Sequence, residues 1–547
     1  MFTPEEKKLL EQYVTSAEAN VFAVRGLSGV VGAAYARYSR AKGGFRETLL
    51  KEFIKEGVID PLRANELIER VLVAYGDDSV GELEGAHLSF ENISMLATKE
   101  IEDRRIGGSP IEQSTRYVVY DQKIDGPAAG EASWRYLRGE ELINAPFGKQ
   151  YLATMDFVFE TYTGLVEPMK EYFTQLKPME AAEYDINGDG QKEKYSDLTD
   201  EKDRKAFRTT YTFDLRSKAC DTLRCLLPLA TLTNVGLFGN GRFFQHAISY
   251  LLTSDLPEAG RIAREAFAAA SQVIPQYVRR AKRSEYQANN RENMRTLSAI
   301  SFTAPQPEIP SELPSVKLLP ETDRDLATLA AMLFPYSNLS LVSLRNKVAA
   351  ASQAEKEKII AAYVGERKTR RDRPGRALED GYPYTLELVT NWGVYKDLMR
   401  HRMNSQQRQL FTTKIGFDLS PEITAAGFES KVRECLARVD ALCQQMAGES
   451  PVLAQYAVLH GHFVRWTLGM NDRGAMHLIE LRTTPQGHPN YRRVAQMIHR
   501  EIAARSPWRG AAMKFADHDN YYWSRADSEA RQRVEEKKLD ERFSKPS

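Results

Sequence analysis

The residues best suited to chemistry are guanidiniums flanking an imidazole. Arg400-His401-Arg402-Met403-Asn404-Ser405 sets two fork-shaped donors around a planar ring. Such a set grips phosphate or carboxylate oxygens and lays a flat face against a flavin or nucleobase. On a helix, the same residues would simply make a basic face turned to water. A second segment, Glu112-Gln113-Ser114-Thr115-Arg116-Tyr117, offers a carboxylate, a hydroxyl and a guanidinium at alternate positions. An extended chain would present all three on one side, suiting a loop that holds a sugar and its phosphate. A polar loop bonded to itself is the plainer reading.

Two triplets share one spacing: Asn240, Arg242 and His246, and Asn471, Arg473 and His477. They belong to a wider echo. Gly32 to Ser39 and Ala330 to Ser337 are apolar runs ending in Tyr-Ser, and Leu67 to Tyr75 and Lys358 to Tyr363 are helix-like segments, followed by Leu83-Glu84 and Leu378-Glu379. Echoes in one order argue for an internal duplication. Thr303 to Ser315 carries four prolines, which favour extended backbone. The expected organisation is therefore a first unit over 1–300, a linker over 301–318 and a second unit over 319–547.

The elements that must position these residues are mixed. Apolar recurrence at three to four predicts helices over 5–18, 259–271 and 491–502. Alternation and β-branched residues predict strands over 86–93 and 384–390. The expected class is α/β or mixed α+β, one unit used twice. Asp185-Ile186-Asn187-Gly188-Asp189-Gly190 opens like a calcium loop, but its twelfth position is Ser196 in place of the bidentate Glu, so a turn is expected. The charged stretch from 191 to 205, within an insertion over about 180–207, and Arg367 to Arg373 read as solvated surface.

The chain has 547 residues, 42% hydrophobic and 27% charged, enough for two cores and unlike a disordered chain. Lysine and arginine total 75 against 74 acidic residues, which gives no net field to draw a long polyanion. No apolar run is long enough to span a bilayer and the start is acidic, so a cytoplasmic address is expected. Cys220, Cys225, Cys435 and Cys443 lack metal-ligand spacing and are expected to be reduced and mostly buried.

These segments together resemble the flavin-dependent thymidylate synthases, whose signature has the form RHRxxSxxExSxRY. Its two ends are strongest in different halves: Arg400, His401, Arg402 and Ser405 in the second, Glu112, Ser114, Arg116 and Tyr117 in the first. In the first half Arg104-Arg105-Ile106 stands where RHR is expected and Ser109 keeps the first Ser; in the second, Arg408, Leu410, Thr412 and Thr413 replace Glu, Ser, Arg and Tyr. The family's early Arg is Arg224 in the first half and is replaced by Gln455 in the second, whereas its late Leu-Arg is Leu481-Arg482 in the second and is replaced by Tyr250-Leu251 in the first.

The losses are complementary, so the resemblance implies one composite site per chain, between the halves, and one abandoned site. It implies an enzyme that binds FAD, is reduced by NADPH, and methylates dUMP with methylenetetrahydrofolate. Arg116, Arg224 and Arg400 would hold the phosphate, with Glu112, Ser114 and Tyr117 at the nucleotide and Ser114 also near the chemistry. Arg482 would stabilise the N3 anion of the uracil. Arg400, His401, Arg402, Ser405 and either triplet would face the flavin. The family forms homotetramers, so two chains would assemble as a pseudo-tetramer. The rival expectations are a flavin enzyme acting on another uridine, in a nucleotide or a nucleic acid, and a non-catalytic flavin or nucleotide sensor.

Overall fold

The computed structural model describes residues 2–19, 24, 30–38, 44–55, 58–59, 81–104, 106–125, 132–320, 323–368, 372, 375–379 and 384–523. The echo segment from Leu67 to Tyr75 and much of Arg367 to Arg373 lie outside them. The chain divides into two compact units: Met1–Ile93, Ala97–Glu112 and Thr233–Ala288 in one, and Ser94–Leu96, Gln113–Leu232 and Asn289–Ser547 in the other. The first sequence half thus supplies residues to both units.

The elements that matter run, in chain order, as β1 (Gly85–Ser94), α1 (Met95–Glu102), β2 (Gly108–Glu112), α2 (Gly148–Leu176), α3 (Glu201–Leu223), β3 (Leu232–Asn240), α4 (Gly241–Thr253), β4 (Ser315–Leu318), β5 (Tyr384–Asn391), α5 (Trp392–Leu398), β6 (Ser405–Arg408), α6 (Glu429–Glu449), β7 (Phe463–Met470), α7 (Asp472–Arg482) and α8 (Pro489–Arg505). Among the described residues the three-stranded sheet has the order β1-β3-β2 and the four-stranded sheet β4-β5-β7-β6, beside three two-stranded ribbons. β5-β7-β6 repeats the order of the smaller sheet, so the echo in sequence is an echo in topology. β2 pairs with β3 antiparallel, as do β4 with β5, β5 with β7 and β6 with β7. The class is mixed helix and sheet. The α/β alternative is corrected, because that class needs parallel strands joined by helical crossovers.

β7 is buried along its whole length, its one charge, Arg465, being neutralised by Glu387 at 2.7 Å. α6 buries Val432, Cys435, Val439, Leu442, Cys443 and Met446, the stripe at three and four that drives a helix onto its neighbour. The strands over 85–94 and 384–391 and the helices over 257–273 and 489–505 match the sequence expectation within a few residues. The helix expected over 5–18 ends at Leu10, and Val14 instead forms an antiparallel bridge with Val24; β-branched Val14 and Thr15 suit extended backbone better than another helical turn. The proline-rich stretch is packed down in the second unit. Asn338 Nδ2 donates to Ala304 O at 2.6 Å, Ser340 N donates to Glu308 Oε2 at 2.8 Å, and the stretch ends in β4.

In the second unit the two early-Arg segments pair across a local two-fold. Leu229 N donates to Val458 O at 2.8 Å and His460 N to Leu227 O at 3.0 Å; Ala230 N donates to Tyr456 O at 3.0 Å and Gly461 N to Cys225 O at 2.9 Å. Exchanging the segments, in the register that aligns Arg224 with Gln455, turns each bond into its mate.

The loop at Asp185 is a turn, as expected: Asp185 accepts from Gly188 N at 2.7 Å and Gly190 N at 3.1 Å. The four cysteines are free thiols, three of them buried. Among the described residues no helix is long and apolar enough to cross a membrane.

Candidate functional site

The extended arrangement anticipated for 112–117 does not form. β2 ends at Glu112 and the chain turns, with Ser114 O accepting from Tyr117 N and Val118 N, and Ser114 Oγ accepting from Arg116 N at 3.2 Å. The hydroxyl thus closes a local turn, which is what serine offers at such positions. Glu112 belongs to the first compact unit and accepts from the buried Lys99 Nζ at 3.0 Å; Lys99 also bonds Glu102 at 2.6 Å. Arg116 belongs to the second unit and reaches Asp221 through both Nε and Nη2, each at 2.7 Å. Burial alone would lower the pKa of Arg116; Asp221 more than reverses this and holds the guanidinium charged. Tyr117 is half-exposed against Phe213.

Arg116 does not stand alone. Its guanidinium and that of Arg482 face one aromatic ring, at 5.9 Å and 5.5 Å from the centroid of Tyr491. Arg224, buried, donates to Asp397 at 3.3 Å. Burial would raise the pKa of Asp397, but Arg224, Arg400, Arg482 and Arg116 together hold it down to about 2. Four of the expected anion-binding residues, two from each half, therefore converge around one carboxylate. A cleft bordered by Arg116, Lys218, Asp221, Gly487 and Tyr522 opens beside them.

The turn from Met399 to Asn404 links α5 to β6, so the basic segment is not a helix face. Arg400, Arg402 and Met403 are exposed, while His401 and Asn404 point inward. His401 Nε2 accepts from Arg482 Nε at 2.8 Å, which puts the imidazole proton on Nδ1. Its ring meets His477 edge-on at 5.4 Å. Asn471 caps α7 by accepting from Gly474 N, and Asn240 caps α4 by accepting from Phe243 N. The Asn of each triplet is thus a helix N-cap, worth about 1 kcal/mol to its helix. Arg473 and His477, four apart, share the exposed face of α7. In the first unit Arg242 is taken by Glu82 at 2.5 Å.

The residues fit a flavin on their own evidence. Asn404 Nδ2 and Ser405 Oγ are buried and have no hydrogen-bond partner among the described residues, a costly state unless a ligand completes it. They lie beside the start of α7, where a side chain on Gly474 would strike Asn404 Oδ1. A donor and a hydroxyl at a helix N-terminus match the heteroatoms of a flavin ring or the oxygens of its pyrophosphate.

Several members of this cluster escape sequence reasoning: Asp221, Asp397, Asn404, His488 and Tyr491. His488 Nδ1 accepts from Asn490 N at 3.1 Å, so Nε2 donates to Asp221 O at 3.2 Å. The spacing of Asp397 three residues before Arg400 is the one signal that places an acid beside the basic turn.

His401, His462 and His488 are all buried, and burial, with Arg482 acting on His401 and Arg224 on His488, brings each pKa to about 3. The unfolded chain takes up protons near 6.5, so stability is complete above that pH and falls on acidification towards 3, by roughly 1 kcal/mol per histidine per pH unit. Guanidinium midpoints should match at pH 7.5 and 7.0 and drop clearly by pH 5. A midpoint unchanged at pH 5 would rule out three neutral buried imidazoles.

The comparison with known proteins points the same way. The family described as thymidylate synthase complementing protein matches residues 28–276 and again residues 317–508. The chain belongs to this family. Its unit occurs twice, as a tandem duplication of the flavin-dependent thymidylate synthase type. Similar chains include UPF0159 proteins of Chlamydia pneumoniae, 36% identical over 97% of this chain and 98% of that protein, and of Chlamydia muridarum, 34% identical over 97% and 99%. A UPF0159 protein of Thermoplasma acidophilum is 30% identical over 92% of this chain and 98% of its own.

Proposed function

We propose that this chain is an FAD-dependent thymidylate synthase that converts dUMP to dTMP, with methylenetetrahydrofolate as one-carbon donor and NADPH as reductant. One observation carries the reading: Arg116 and Arg224 of the first half meet Arg482 and the basic turn of the second around Asp397 and Tyr491. A flavin sensor has no need for this anion-binding cluster. Each half alone lacks part of it, and the local two-fold at 225–230 and 456–461 supports assembly from both.

In this reading Arg116, Arg224 and Arg400 hold the phosphate, with Ser114 and Tyr117 at the edge of the nucleotide. Arg482 stabilises the negative charge that develops at uracil N3, an effect strengthened where water is scarce. Neutral His401 fixes Arg482 through Nε and leaves the two terminal nitrogens for the pyrimidine. His401, Arg402, Asn404 and Ser405 hold the flavin together with the second triplet, Asn471, Arg473 and His477. Bound FAD supplies reducing equivalents and a passage for the one-carbon unit. Asn240, Arg242 and His246 lie in the first unit and are assigned to the abandoned site, with Glu112 held there by Lys99. Two chains form the working assembly, in the cytoplasm.

The test is tritium release from dUMP labelled at C5, using flavin-loaded protein with NADPH and methylenetetrahydrofolate. Release supports the reading. A folded, flavin-loaded protein that releases none sinks it.

A further inference from the structure

Beyond α8 the chain returns to the arginine cluster. Residues 513–523 pass the end of α7 as a strap, tied down at Thr483, the residue after Arg482. Asp517 N donates to Thr483 Oγ1 at 3.0 Å. Arg492 donates from Nε to Thr483 O at 2.9 Å, and from Nη2 to Asp517 Oδ1 at 3.2 Å and Asp519 O at 3.1 Å. Thr483 and Arg492 are buried, where leaving any of these groups unpaired is costly. One guanidinium therefore clasps the strap to the turn that follows α7.

That turn, over 483–488, touches the first-half arm of the cluster. Gln486 O accepts from Arg116 Nη1 at 3.5 Å, and His488 Nε2 donates to Asp221 O at 3.2 Å. A side chain on Gly487 would strike Tyr491 and Arg492, so the turn lies directly on α8. The end of the strap then reaches helices of the first half. The ammonium of Lys218 sits 3.7 Å from the centre of the Tyr522 ring, a cation–π contact, and Trp523 meets Phe173 edge-on at 5.9 Å. Lys218 stands one turn before Asp221 on α3, and Asp221 is the acid that grips Arg116. Tyr522 and Trp523 border the same cleft as Arg116. Both ends of the strap are thus fixed to what surrounds this guanidinium.

We propose that the strap over 513–523 positions Arg116 to receive a phosphate monoester, with Thr483 and Tyr522, its two anchor points, as positioning residues. A guanidinium ordered in advance binds its anion without first losing freedom. The strap's role rests on the proposed function only in taking Arg116 as part of the phosphate subsite, and it does not depend on turnover.

Calorimetry at fixed salt on the flavin-loaded full chain tests it, with dUMP and deoxyuridine as ligands; the ratio of their dissociation constants isolates what the phosphate contributes. Wild type binds dUMP by far the more tightly. Thr483→Val, which removes the hydroxyl that holds Asp517 N, lowers the ratio by about tenfold. Thr483→Ser keeps the hydroxyl and the wild-type ratio. Tyr522→Ala, at a half-exposed ring whose loss leaves the fold intact, lowers the ratio by about fivefold and decides the matter should Thr483→Val not fold. A merely structural strap weakens both ligands alike, and an unchanged ratio in either folded variant overturns the proposal. A wild type that gains nothing from the phosphate overturns it without any variant. Tritium release with unchanged ratios rejects the strap and leaves the thymidylate synthase reading intact; lowered ratios without release do the reverse.

Discussion

Arg482→Ala is expected to lower tritium release from dUMP by about a hundredfold or more, chiefly in kcat. The reason is that a donor aimed at charge present only in the transition state contributes there and little to ground-state binding. His401 holds the Nε of Arg482, and the ring of Tyr491 lies beside its guanidinium, so the group is oriented before substrate arrives. Arg116→Lys should behave differently. It keeps a charge but loses the two-point grip on Asp221, and arginine's planar fork is not reproduced by an ammonium. Its loss should fall mainly on KM for dUMP. Steady-state kinetics of the two variants, beside flavin content, separate these effects. Equal loss of kcat in both, or undiminished release in Arg482→Ala, contradicts a single site built from both halves.

The second large effect is on stability. Lys99→Met should remove about 3–5 kcal/mol from the first unit, because it leaves the carboxylates of Glu102 and Glu112 buried without their cation. All three side chains have almost no exposure. Glu112→Gln added to Lys99→Met should recover part of the loss by removing one of the two buried charges that Lys99 neutralises. Urea unfolding followed by far-ultraviolet circular dichroism reads both. A Lys99→Met transition within about 1 kcal/mol of wild type would show that the triad is solvated when the protein is free in solution.

Much of the fold was legible because its signals are local. β1 and β5 alternate or carry β-branched residues, the helix over 257–273 has an apolar face, and both Asn-x-Arg triplets begin helices that they cap. What was not legible depends on distant chain. Nothing near Asp397 announces Arg224, which lies 173 residues away, and Asp221 meets Arg116 across 105 residues. The turn after Glu112 was missed for a different reason. Spacing at alternate positions is compatible with a strand, but Ser114 Oγ accepts from the backbone N–H of Arg116 and closes a turn. The form of the RHR segment is not legible locally, since the turn that buries His401 and Asn404 packs against Arg482 and Gly474 from later in the chain.

The paired segments at 225–230 and 456–461 carry a consequence for synthesis. Their backbone bonds join strands separated by more than two hundred residues. At a ribosomal pace of about 5–20 residues per second, the earlier strand waits on the order of tens of seconds for its mate, exposing an apolar stretch, Leu226 to Ala230, with unpaired N–H and C=O groups. Arg224 stands at the head of that stretch, so the arginine cluster cannot be assembled until the last quarter of the chain has emerged. A nascent chain stalled between the repeats offers a sticky edge to other nascent chains, and the gene's two halves are thereby tied to being read through without a pause.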